Sequence, residues 1–116
     1  MTENNVLADK TIAFAIRIVK CSKYLQNEKN EHIMSKQILR SGTSIGANAH
    51  EGFYAQSRAD FLTKMTIALK EANETKYWLT LLFKAEYLNE IEYESLMKDL
   101  RIIIGTLVNT IKKTKE

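Results

Sequence analysis

The side chains best placed to do chemistry lie in two polar lines spaced for helices. At about 100° of rotation per residue, Arg40, Ser44, Asn48 and Glu51 fall along one stripe, and Glu71 and Glu74 stand three apart on a later segment. An arginine fork matches carboxylates, and a buried charge survives only when it is paired and hydrogen-bonded. The stripe therefore predicts a polar layer, either between two helices or across a subunit boundary. Such a layer fixes helix register, or, in an enzymatic reading, Arg40, Asn48, Glu51 and Glu71 hold a small molecule. No spacing favours a particular reaction.

Other catalytic arrangements are poorly supported. The partner positions of a two-histidine helical metal motif around His50 hold Gly46 and Tyr54, and His32 has no better company. With no CxxC or HxxE spacing either, no metal and no cofactor is expected. Gly42 and Gly46 stand in GTSIG, which lacks the GK[ST] ending of a phosphate loop and does not open a helix. Cys21 sits among Phe14, Ile18 and Leu25 on a helical face, without a nearby histidine or helix N-terminus. It reads as a reduced core thiol, which with a non-basic N-terminus and no long apolar run points to a soluble cytoplasmic protein.

The elements that must position these residues are helices. The chain has 116 residues, 45% of them hydrophobic, no proline and four glycines, so one domain spanning 1–116 is expected and tight hairpins are not. Residues Asn5 to Gln26 carry a seam of Leu7, Thr11, Phe14, Ile18, Cys21 and Leu25. After a polar loop over Asn27 to Glu31, a second helix runs from about His32 to Tyr54 with Met34, Ile38, Ser41, Ile45, Ala49 and Gly52 on one stripe. Its glycines each cost about 1 kcal/mol against alanine, which predicts unusually close packing by another helix. A third helix opens at Ser57 and Asp60 and carries Phe61, Met65, Ala68, Ala72, Thr75, Leu79 and Leu82. A fourth starts near Asn89, with Glu92 at the capping-box position, and carries Leu96, Leu100, Ile103, Leu107 and Ile111. Short connections make neighbours antiparallel, so the fold is all-α, an up-down-up-down four-helix bundle.

Some apolar surface exceeds what one core needs. Ile12, Ile16 and Val19 widen the face of the first helix beyond a single stripe. Ile67 and Trp78 share a second line with Glu71 and Glu74, and Ile102 lies away from the last seam. These six residues predict an oligomer interface.

Charge is unevenly distributed. Residues 1–50 hold seven Lys/Arg against four Asp/Glu, residues 51–97 five against eight, and residues 98–116 five against two. With the first and last helices adjacent, Lys112, Lys113 and Lys115 are expected near Lys10, and Lys98 and Arg101 near Lys20 and Lys23, with Arg17 between. That surface would attract phosphates through counterion release with little sequence discrimination. Tyr24 is the one obvious stacking residue on the first helix, which disfavours a dedicated single-strand reader.

The motifs RSGTSIGAN, a following acidic residue, DF, ALKEA and ET.YWL, in this order between Arg40 and Leu79, resemble the four helix bundle proteins known as 23S rRNA intervening-sequence proteins. The resemblance runs from about Leu7 to Val108. It implies a bacterial homopentameric ring with a positively charged surface. Similar bundles are accessory proteins of diversity-generating retroelements that bind nucleic acid and partner a reverse transcriptase. By motif, Arg40, Ser41, Ser44, Asn48, Glu51, Asp60, Phe61, Glu71, Glu74 and Trp78 occupy family positions and look like fold and assembly residues. The expectation is a non-enzymatic homo-oligomeric adaptor that binds RNA or DNA, the rival being a protein-only scaffold with no nucleic-acid role.

Overall fold

The computed structural model describes residues 3–116, with side chains described from Val6 onward. Four helices follow one another: α1 (Glu3–Glu28), α2 (Met34–Phe53), α3 (Arg58–Lys84) and α4 (Glu90–Lys115). Each packs against the next and α4 returns beside α1, giving the expected bundle, 44 Å long and 22 × 21 Å across. Contacts such as Gly42 on Ile18, Arg40 on Glu71 and Phe83 on Tyr93 show each consecutive pair running antiparallel.

The core follows most of the periodic seams, but Cys21, Met34, Phe61 and Ile111 are only half-buried. On α1 the buried position after Ile18 is Ser22, and Cys21 is turned partly outward. Ser22 tolerates burial because its hydroxyl donates to the Ser35 carbonyl at 2.9 Å, a partner that periodicity on α1 alone cannot reveal. On α4, Thr110 is buried and Ile111 half-buried, and Met97 joins the core beside Leu96.

The α1–α2 connection also departs from expectation. Helix α1 runs on to Glu28, and Asn30 adopts a left-handed conformation (φ 55°) that turns the chain. Glu31 is no solvated loop residue: it is 7% exposed and accepts from the backbone N–H groups of Ile33, Met34 and Ser35 at 3.2, 3.1 and 2.7 Å. These are the orphan donors of the α2 N-terminus, so the helix begins at Met34, two residues after the expected His32. Burial works to raise the Glu31 pKa, but the hydrogen bonds from Ser35, Met34 and Ile33 outweigh it and hold the carboxyl below its ordinary value. Helices α3 and α4 start where the caps indicate. Ser57 accepts from the Asp60 N–H, and Asn89 and Glu92 complete a reciprocal capping box.

The interior glycines of α2 mark close approach, as expected. A Cβ on Gly42 would lie 2.7 Å from Ile18 Cγ2, on Gly46 3.1 Å from Thr11, and on Gly52 2.7 Å from Met65 Cε. Helix α2 is thus pressed between α1 and α3. Gly105 on α4 differs, since a Cβ there meets nothing within 4 Å.

Candidate functional site

The expected polar layer forms in part. Arg40 reaches from α2 to Glu71 at 3.2 Å and also pairs with Glu74, and the Trp78 indole N–H donates to the same Glu74 carboxylate at 3.0 Å. Beneath them the buried Ser41 and Thr75 hydroxyls hydrogen-bond at 2.9 Å. The rest of the stripe does not join. Ser44 donates to the Arg40 carbonyl and Asn48 to the Ser44 carbonyl, both within α2, and Glu51 pairs with Lys64 at 3.3 Å. A helical hydroxyl or amide satisfies itself on the preceding turn, which the wheel cannot distinguish from facing a neighbour. The layer is a surface clamp between α2 and α3, with Arg40 half-exposed.

Cys21 is poorly suited to nucleophilic work. Burial pushes its thiol up to about 11, Glu92 adds to this, and Arg17 partly offsets it. The neutral thiol is the form present near pH 7.

An apolar groove of about 580 Å³ lies between α1 and α2. Ala8, Ile12, Ala15, Ile16 and Val19 form its floor and wall, with Gly46 and Ala47 opposite, and Lys20, Lys23 and His50 stand at its edge. Ile12 is 58% and Ile16 50% exposed. Gly46 and Ala47 of α2 make this face concave by withholding side chains. Of the other expected interface residues, Ile67 and Trp78 are half-buried on α3, and Ile102, on α4, is 44% exposed beside a separate cleft with Lys10 and Asp99. The structure brings Ile12, Ile16 and Val19 together and keeps the other three elsewhere.

The cations are spread more widely than expected. Arg17 binds Asp99 at 2.6 Å and donates to Ser95, and Arg101 lies 3.7 Å from Glu94 on its own helix. Lys20 shares a cleft with Ile91, Glu92 and Ser95, and Lys10 one with Asp99 and Ile102. The α1–α4 register is therefore displaced by about two helical turns from the expected one. Lys98 and Arg101 do not meet Lys20 and Lys23, and Lys112, Lys113 and Lys115 ride on the last turn of α4, beyond Lys10. Hydrophobic period does not encode axial register between helices that are not consecutive; Arg17 reading Ser95 and Asp99 helps set it. That last turn is tied to α3 through the Arg58 guanidinium on the Thr114 carbonyl.

A family model for the 23S rRNA-intervening sequence protein matches residues 3–109 of the chain. The chain belongs to this family. The same fold is found in a solved structure from Bacteroides thetaiotaomicron, a protein of unknown function from the S23 ribosomal protein family. That protein is 56% identical, with a TM-score of 0.94, over 96% of this chain and 99% of the other. No curated protein matches.

In this intervening-sequence protein, the motif residues are chiefly packing and clamp residues: Ser41 and Thr75 in the core, Arg40, Glu71, Glu74 and Trp78 over it. Among the described residues no group of three or more His, Cys, Asp and Glu could hold a metal, and no helix is long and apolar enough to cross a membrane. Sequence reasoning missed Glu31. Its signal is an acidic residue shortly before Met34 with Ser35 four residues on, which resembles solvated loop composition.

Proposed function

We propose that this chain assembles with copies of itself through the α1–α2 groove and that the assembly binds RNA or DNA through phosphate contacts, as an accessory protein. The observation that carries the reading is the juxtaposition of an uncovered apolar groove, with Ile12 and Ile16 half or more exposed, and Lys20 and Lys23 at its edge. Exposed isoleucines in one concavity are what an interface core requires, and the adjoining lysines stay available around it. Family membership supports an rRNA-linked role, and the family resemblance supports a ring of five. A reverse transcriptase is one partner such an adaptor would serve.

Light scattering on the native particle tests assembly: a multiple of 13.4 kDa is expected, falling to the monomer in Ile12→Asp/Ile16→Asp. Titration of structured RNA at two salt concentrations tests the electrostatic part, since affinity must fall steeply with salt. Binding that ignores salt, or none at low salt, overturns it.

A protein-only scaffold has one observation in its favour: Arg17 and Arg101 lie beside carboxylates of the same chain. Replacing Lys20 and Lys23 by glutamate separates the readings. RNA binding is lost under the first, and partner binding survives under the second.

A further inference from the structure

At the end of the bundle where α1 and α3 finish, the fold gathers three aromatic rings that lie far apart in sequence. Tyr24 from α1, Phe83 from the last turn of α3 and Tyr87 from the α3–α4 turn line one pocket of about 510 Å³, with Lys29 and Lys84 at its rim. Its size falls in the range of small-molecule sites. We infer that this pocket receives the base of an unpaired nucleotide, an inference that rests on the nucleic-acid reading above and gives it a specific contact.

The rings are held in place. Phe83 stacks on Tyr93 at 4.4 Å with planes 10° apart, while Tyr24 and Tyr87 pack their inner sides on the core and remain partly exposed. The chain reaches Tyr87 through a Schellman turn: the Tyr87 N–H donates to Leu82 O at 2.9 Å and the Glu86 N–H to Phe83 O at 3.0 Å. Glu86 occupies the left-handed position of that turn (φ 69°), where glycine is the usual residue. This leaves an exposed carboxylate lining the pocket, an acceptor for the amino or imino hydrogens of a base.

The surrounding charges favour a nucleotide over other flat ligands. Lys29 Nζ stands 5.9 Å from the centre of the Tyr24 ring. Tyr24 also lines the adjoining α1–α4 cleft with Arg17 and Lys20. Because Asp99 and Ser95 occupy Arg17, Lys20 is the cation that leads phosphates toward the rings. Within the pocket Lys29 and Lys84 face Glu86 and Glu92, so its own charge is balanced and stacking carries the recognition. A base already paired in a duplex cannot enter.

The test uses the full chain and two RNA probes of equal length: a hairpin with one unpaired 2-aminopurine in its loop, and a fully paired duplex with 2-aminopurine inside it. Stacking in the pocket quenches the hairpin probe and leaves the duplex probe unchanged. Tyr24→Leu and Tyr87→Leu, which keep apolar bulk, are expected to weaken hairpin binding about tenfold each and abolish the quench while duplex affinity stays the same. Circular dichroism confirms that each variant folds. If one variant does not, the other and Lys29→Glu/Lys84→Glu carry the test. Hairpin binding unaffected by these changes, or no quench in the unaltered protein that still binds duplex, overturns the pocket and leaves the phosphate-binding reading intact. Failure to bind either probe at low salt overturns both.

Discussion

The α1–α2 seam and the α1–α4 seam use opposite means of joining helices. Between α1 and α2 the chain withholds side chains, so that Gly42 lies against Ile18 with no room for a methyl group and Gly46 lies close against Thr11. Between α1 and α4 the packing is looser and the join is polar, with Arg17 reaching across to Ser95 and Asp99 and clefts opening above and below. The first seam is closely packed and shapes an apolar groove on its outer side. The second leaves charged and aromatic side chains accessible.

The comparison breaks most directly at Gly42. Gly42→Val drives a branched side chain into the Cβ branch of Ile18, which cannot swing away, and is expected to cost about 2–3 kcal/mol, read as a lower urea midpoint. An unchanged midpoint would show that the seam yields.

Glu31→Gln comes next. The variant keeps the shape but weakens three charge-assisted bonds at the α2 N-terminus, with an expected loss of about 1–2 kcal/mol at neutral pH. Because the folded carboxyl titrates below its ordinary value, its contribution is present above about 4.5 and is lost as pH falls through the lowered folded value. Thermal melts across that window should show the parent losing stability with acid more steeply than the variant.

Gly105→Ala probes the open side. With nothing within 4 Å of the new methyl group, the helix gains propensity and stability should rise by about 0.5–1 kcal/mol. A loss there would mean that another molecule approaches α4 closely at this point.

Asp99→Asn has the smallest effect on stability, within about 1 kcal/mol, because both partners of the ion pair are more than a third exposed. It frees Arg17 beside Lys20, so RNA affinity at low salt should rise, with a steeper salt dependence. Affinity that does not change would place the α1–α4 cleft outside the binding surface.

Local pattern made much of the architecture legible before any coordinates. Four-three spacing of Met65, Ala68, Ala72, Thr75, Leu79 and Leu82 defines a buried stripe whatever it packs against, and Asn89 with Glu92 marks a helix start through bonds that span three residues. The small residues of α2 announced close packing because its glycines cluster on one helix, whereas the lone Gly105 of α4 meets no such contact. Tertiary structure alone decided what depends on axial register and on distant partners. It set Ser22 inward because Ser35 lies opposite, turned Glu31 from loop into cap, and slid α4 along α1 so that Arg17 met Asp99 and the lysines dispersed. It also brought Phe83 and Tyr87 to Tyr24 at one end of the bundle. Helical period fixes which way a side chain points around its own axis, whereas the level at which two helices meet is set by the sum of many weak contacts, none of which is written in either helix alone.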